Sequence, residues 1–130
     1  MGDEIQKWFK IILLIDAALI LFTAVYRIGF SEQWAAAISA ATGVPTSVHF
    51  VGIARAEGIV HAVVGAFILL AIKANSWEKN KLFVGFLLVF HVAYVVINAI
   101  APIKPAWEGI IIYGALAAFL AFGYCKQSKS

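Results

Sequence analysis

The chain has 130 residues, of which 63% are hydrophobic and 13% charged, and its formal net charge is +3. Soluble domains contain about half apolar and a quarter charged residues, so this composition excludes an ordinary soluble fold and favours a protein that folds in a lipid bilayer. The single cysteine, Cys125, excludes an internal disulfide and a metal site built from several cysteines. The basic residues flank apolar segments, as in membrane proteins, and no nucleic-acid-binding motif accompanies them.

Four apolar segments follow one another along the chain, at about residues 8–28, 48–72, 82–101 and 107–124. Each approaches the ~20 residues that an α-helix needs to cross ~30 Å of hydrocarbon. Because a bilayer core offers no water to the backbone, spans of this length must be helical, whereas barrel strands would be much shorter. The sequence therefore predicts one all-α domain over residues 1–130, an integral membrane four-helix transmembrane bundle.

The connection between the first two segments, SEQWAAAISAATGVPTS, is the longest in the chain. Ser31 is expected to cap the helix-forming residues at positions 32–41, and Gly43 and Pro45 then provide a stop signal. This pattern predicts a short helix at the outer membrane interface, lying as a lid over the bundle. After the proline, either Ser47 or its neighbour Thr46 is expected to cap the second span.

The placement of lysine and arginine predicts the orientation of the spans. Seven basic residues fall on the side of the chain termini and three on the opposite side. The positive-inside rule then places both termini in the cytoplasm. The seven are Lys7, Lys10, Lys73, Lys79, Lys81, Lys126 and Lys129, and the three are Arg27, Arg55 and Lys104.

Two of the predicted spans carry polar residues at helical spacing. Glu57 and His61 are four residues apart in the second span and therefore share a face. His91, Tyr94 and Asn98 follow at i, i+3 and i+7 in the third span. Both histidines lie near the middle of antiparallel neighbours, so we expect the two imidazoles to approach each other, or one ligand, near the bilayer midplane.

Glycines accompany the polar face of the second span. Gly58 and Gly65 lie three and four residues from His61, which predicts open space beside the imidazole. The same segment carries Ala54, Gly58 and Ala62 at four-residue intervals, a pattern that equally predicts close helix packing without any ligand. The sequence leaves both interpretations open.

Charged residues inside an apolar span are costly, so they are expected to face the interior, to pair or to lose their charge. Asp16 lies about eight residues into the first span, and Arg55 lies in the outer half of the second, too far apart in depth to pair directly. Hydrogen bonding between helices is the alternative role for the histidines and the asparagine, and snorkelling to the headgroups is the alternative for the arginine. The predicted ligand-binding residues are Asp16, Arg55, Glu57, His61, His91, Tyr94 and Asn98.

The order of the elements is a first span, an interfacial helix, a second span reading RAEGIVHAVVGAFILLAI, a short basic turn and two further spans. This arrangement resembles the DoxX-like superfamily of small four-helix membrane proteins. The resemblance implies the four-helix membrane fold, and roles that include subunits associated with thiosulfate:quinone oxidation and assembly partners. The histidines depart from the pattern. The residues that carry the resemblance are Arg55, Glu57, Gly58, Gly65, Leu69 and Leu70.

Three functions agree with these residues. The one that we favour is a small membrane accessory or ligand-binding protein that serves a membrane complex or holds a quinone or lipid-like molecule. The second is an electron-transfer subunit in which His61 and His91 ligate haem b, the one cofactor considered. The third is a small transporter, acting as a dimer, in which Asp16 or Glu57 exchanges a proton.

Catalytic motifs are not found in the sequence, so we do not expect an enzyme that acts on its own. The expected partners are the lipid bilayer and other membrane subunits or a second copy of the chain. Nucleic acid is not expected as a partner.

Overall fold

The computed structural model of the protein describes residues 3–100 and 104–129, which form five α-helices without any strand. Four of these helices are long and apolar enough to cross a membrane. The predicted all-α architecture with four candidate spans is therefore confirmed. The helices are α1 (Lys7–Gly29), α2 (Ser31–Thr42), α3 (Val48–Ala74), α4 (Trp77–Ala99) and α5 (Trp107–Gln127).

The largest difference from the predicted spans is at the start of α4. The hydropathy pattern places this span at residues 82–101, whereas the helix begins at Trp77 and ends at Ala99. The helix begins before the apolar segment because the Ser76 side chain accepts a hydrogen bond from the Lys79 N–H and so caps the helix in a polar stretch. The predicted last residue, 101, lies outside the described residues.

The short helix α2 forms where the sequence predicts a helix, and Gly43 ends it in the left-handed conformation with φ of 77°. Ser31 is the first residue of the helix and not its cap, and its hydroxyl accepts a hydrogen bond from Arg55 Nε at 2.9 Å. Ser47 caps α3 by accepting a hydrogen bond from the Phe50 N–H at 3.0 Å. These contacts place α2 beside the first turns of α3.

The four long helices pack mainly as two pairs, α1 with α3 and α4 with α5. Glycine permits the close approach within the first pair, because a Cβ on Gly65 would lie 2.6 Å from Leu21. The two pairs share one apolar core in which α1 also contacts α5. The core includes Phe9, Leu13, Ile20, Leu87 and Leu120, all 0 to 1% exposed.

The segment before α1 and the end of α5 lie at the same end of the bundle as the turn between α3 and α4. The Asp3 carboxylate accepts hydrogen bonds from the Ser76 hydroxyl and the Glu78 N–H, both at 2.8 Å. The Gln127 side chain bonds the backbone of the segment that precedes α1. The opposite end of the bundle therefore carries α2 and the start of α5.

Candidate functional site

His61 is fully buried in α3, and both of its ring nitrogens have partners. Nδ1 lies 2.8 Å from the carbonyl oxygen of Glu57, one turn earlier, and Nε2 lies 2.8 Å from the hydroxyl of Tyr113 on α5. A carbonyl only accepts, so in the neutral ring Nδ1–H donates to Glu57 and Nε2 accepts from Tyr113. Glu57 and His61 therefore meet through the Glu57 backbone and not through its carboxylate.

His91 is fully buried in α4, and its partner is Asp16 on α1. His91 Nε2 lies 2.8 Å from Asp16 Oδ1, and both side chains are 0% exposed. Asp16 Oδ2 and His91 Nδ1 have no hydrogen-bond partner among residues 3–100 and 104–129. The two imidazoles thus have different hydrogen-bond partners. Their hydrogen bonds do not bring the two rings to each other or to one shared ligand position.

Tyr113 is a site residue that the sequence pattern does not single out. Its ring lies 6.3 Å from the His61 ring and 5.7 Å from the His91 ring, measured between centroids. It also stacks on Tyr94, with the centroids 4.8 Å apart and the planes at 21°. Tyr94 lies five residues before the end of α4, and Tyr113 lies six residues after the start of α5. The two residues therefore lie at similar depths in antiparallel neighbours, and a comparison of depths along the sequence would have identified the pair.

Arg27 and Glu57 form an ion pair that the spacing of polar residues in the sequence does not predict. Arg27 Nη1 lies 2.5 Å from Glu57 Oε2, and the side chains are 7% and 34% exposed. The guanidinium carbon of Arg27 also lies 4.4 Å from the ring centroid of Trp34 on α2. One buried cation therefore connects α1, α2 and α3.

Two of the predicted ligand-binding residues have structural roles. Arg55 is exposed on α3, and its Nε bonds Ser31 on α2. The Asn98 amide donates to the carbonyl oxygen of Tyr94 at 2.7 Å, and its side chain packs closely against Gly109 on α5. Asn98 still lines a cavity at the α2 end of the bundle, whereas Arg55 does not.

A cavity of about 620 Å³ lies at the α2 end of the bundle and is lined by residues from all five helices. Its walls are mainly apolar, with Ile38 from α2 and Ile112 from α5 among them. Three of the predicted residues, Asp16, His61 and His91, are not in its wall. Both histidines contact Tyr113, which is a cavity residue. The polar and aromatic lining includes Arg27, Trp34, Glu57, Tyr94, Asn98 and Tyr113.

The open space predicted beside the α3 glycines is not there. A Cβ on Gly58 would lie 2.7 Å from Ile28 Cγ1 and 3.3 Å from the carbonyl oxygen of Ala24, both on α1. Leu21, also on α1, fills the space at Gly65. The prediction of space was wrong because these glycines serve the close packing of α3 on α1, which is the other interpretation that the sequence left open.

The residues present do not fit haem b. Axial ligation needs a ring nitrogen on each histidine that can reach the iron, and the porphyrin plane needs a slot between the helices. Both ring nitrogens of His61 are hydrogen-bonded, so only His91, through Nδ1, has a ring nitrogen without a partner in the described residues, while side chains of α1 occupy the glycine face. Within the described ranges, no cluster of three or more His, Cys, Asp or Glu side chains could hold a metal ion.

No protein-family model, curated protein or solved structure matches this chain.

Proposed function

We propose that the protein is an integral membrane protein, DoxX-like in outline, with both termini in the cytoplasm and α2 at the opposite membrane surface. The support is the length and hydropathy of four helices. Large apolar side chains also cover the outside of the bundle, where contact with lipid removes them from water. Examples are Phe22, Leu82 and Ile111, which are 72%, 82% and 67% exposed.

The function that the geometry supports best is the binding of an amphipathic, membrane-soluble ligand in the cavity beneath α2. The cavity is the observation that carries this proposal. Its volume of about 620 Å³ falls within the range of about 300–1,000 Å³ that is usual for small-molecule sites. Its wall combines a mainly apolar surface with a few polar side chains, the pattern of a site that holds an apolar body and orients one polar head.

A quinone is the ligand class that fits this wall best. Tyr94 and Tyr113 both line the cavity and form an aromatic part of its wall for a planar ring to contact. Arg27 and Asn98 line the same cavity and carry N–H groups that are suited to carbonyl oxygens. A lipid acyl chain would use the apolar wall equally well but would leave the aromatic surface without a matching group.

We further propose that the chain acts as an accessory to a larger membrane complex or as an oligomer, and not as an enzyme on its own. Nucleophile, base and oxyanion donors do not converge in the described part of the cavity wall in a recognisable catalytic arrangement. Holding or delivering a quinone requires only the cavity. The partner subunits would carry the redox chemistry.

The test is to measure which molecules the purified protein retains. Wild type is reconstituted in nanodiscs made from lipid and quinone, washed, extracted with organic solvent and quantified by mass spectrometry. A double variant, Ile38→Trp with Ile112→Trp, fills the cavity. A matched double variant, Ile11→Trp with Ile111→Trp, changes two exposed residues that are not in the cavity wall.

We expect wild type and the outer-surface variant to retain quinone above the level of empty nanodiscs, and the cavity variant to lose most of that excess. Equal quinone contents in all three proteins and in empty nanodiscs would overturn the proposal.

A further inference from the structure

The pair formed by Asp16 and His91 lies outside the cavity wall and plays no part in the proposed ligand site. It joins α1 of one helix pair to α4 of the other, and both side chains are 0% exposed. The neighbouring buried positions hold apolar residues, among them Leu13, Ala17 and Leu87. Apolar side chains would therefore also satisfy the packing at the positions of Asp16 and His91. A buried acid and a buried base at one contact therefore call for a chemical role.

The hydrogen bonds of this pair are incomplete. One hydrogen lies between Asp16 Oδ1 and His91 Nε2, which are 2.8 Å apart. The second oxygen of the carboxylate and the second nitrogen of the ring are buried without partners in the described part of the chain. His61 provides the contrast within the same bundle, because both of its ring nitrogens are hydrogen-bonded.

The titratable and charged groups around the pair come from three helices. Tyr113 on α5 contacts the His91 ring, and His61 on α3 is hydrogen-bonded to Tyr113. Arg27 on α1 lies 5.6 Å from the ring centroid of Tyr94, which stacks on Tyr113. Arg27 is paired with Glu57 at 2.5 Å, so this cation is balanced locally. With a neutral imidazole, the Asp16 and His91 pair carries a charge of −1 in an apolar interior, where a net charge is strongly unfavourable.

We propose that Asp16 and His91 together form a proton-binding site. In the unloaded state the carboxylate accepts the Nε2–H of a neutral imidazole, and the pair has a net charge of −1. A proton taken from solution forms a bond to the lone pair of His91 Nδ1, giving an imidazolium beside a carboxylate with no net charge. No other bond breaks, and release of the proton from Nδ1 restores the first state.

This site does not depend on a ligand in the cavity. It lies where the two helix pairs meet, so loading changes the net charge at that contact from −1 to 0. A transporter that exchanges a proton needs such a buried, reversible site. In this protein that site would be the pair of Asp16 and His91, and not Asp16 or Glu57 alone.

The test is ¹⁵N nuclear magnetic resonance of the full chain in lipid nanodiscs, with the side chains of the three histidines labelled. The ¹⁵N shifts of a ring distinguish an imidazolium from each neutral tautomer. Spectra are recorded from about pH 5 to about pH 9 for wild type and Asp16→Asn. His91→Gln and His61→Gln assign the signals.

We expect the His91 ring in wild type to gain and lose a proton on Nδ1 reversibly within this series. In Asp16→Asn the His91 ring should stay neutral over the same range, because the charge that stabilises the imidazolium is gone. His61 should keep one neutral tautomer in both proteins.

Infrared pH-difference spectra of wild type provide a second measurement that does not require a folded variant. A neutral His91 throughout, with no reversible carboxyl signal from a protonated Asp16, would overturn the proposal. A reversible carboxyl signal with a neutral His91 would place the same proton on Asp16 Oδ2 and would still show that the pair binds it.

Discussion

Glu57 and Glu78 each pair with a basic side chain, but the two pairs differ in burial. Arg27 beside Glu57 is 7% exposed, whereas Lys81 and Glu78 are 41% and 65% exposed. Glu57→Ala leaves a buried guanidinium without its partner, so we expect the free energy of unfolding to fall by about 1–3 kcal/mol. Glu78→Gln removes a solvated pair and should change it by less than about 1 kcal/mol.

Chemical unfolding in a mild detergent, followed by circular dichroism, measures both effects. Equal losses in Glu57→Ala and Glu78→Gln would show that the ion pair beneath α2 adds nothing beyond a surface contact.

Asp3 gives the bundle a contribution to stability that depends on pH. The backbone N–H of Glu78, and then the hydroxyl of Ser76, donate to its carboxylate and lower the pKa of Asp3 below its usual value. Because the folded pKa is the lower one, the contribution is complete above the unfolded pKa of about 4 and is lost as the pH falls through the folded value.

The melting temperature of wild type should therefore approach that of Asp3→Asn as the pH is lowered below about 4, from a higher value at neutral pH. A constant difference between the two proteins from neutral pH down through this range would contradict the role given to the carboxylate.

For single residues, the sequence predicts which side chains face inward, but it does not predict their hydrogen-bond partners. His61 and His91 are buried as the helical period requires, and Asn98 bonds within its own helix. The period fixes a face on one helix, whereas partners depend on how neighbouring helices are rotated and shifted in depth. For that reason Tyr113, which lies in no periodic stripe, was missed.

Two glycines of the same helix, Gly58 and Gly52, provide a matched comparison at the scale of helix packing. A Cβ at position 58 would meet Ile28 and the Arg27 Cβ on α1, whereas at position 52 it would meet nothing within 4 Å. Gly58→Ala should therefore destabilise the protein by about 1–3 kcal/mol through overpacking. Gly52→Ala should stabilise it by up to about 1 kcal/mol, because alanine favours the helix.

Melting temperatures of the two variants in the same detergent test this contrast. If both variants are stabilised, α3 does not pack on α1 at Gly58, and the assignment of that glycine to helix packing is wrong.

The helices themselves follow from the sequence more completely than their ends. Long runs without charge predict α1, α3 and α5, and the stop signal at Gly43 predicts the end of α2. Hydropathy marks where a chain becomes apolar, whereas a helix begins at its cap. The polar first turn of α4 after Ser76 therefore escapes a prediction based on hydropathy.

For the whole molecule, the proposed orientation places the chain ends and Ser47 on opposite membrane sides. Both Ser47 and Ser128 are exposed and lie outside the helices, at the start of α3 and after α5. In a Cys125→Ser background, we expect Ser47→Cys to react with a membrane-impermeant maleimide in intact cells. Ser128→Cys should react only after the membrane is opened.

Labelling of both cysteines in intact cells would show that the two positions share one side and would contradict the four-span topology. The reverse pattern would contradict the orientation that the basic residues predict.

The pairing of helices follows only partly from the sequence. The spacing of small residues in α3 predicts a close neighbour, but α1 is identified as that neighbour only by the three-dimensional packing. The cavity has the same origin, because it forms where five helices meet at the α2 end. A pattern within one segment does not contain that information.

The most direct test of the central claim is photocrosslinking of the reconstituted protein with a quinone that carries a diazirine on its tail. Peptide mapping should place adducts on cavity residues such as Ile38 and Ile112, and excess unlabelled quinone should suppress them. Adducts confined to outward-facing residues such as Val25 and Val89, unaffected by competitor, would show that quinone only surrounds the bundle and would contradict a binding site beneath α2.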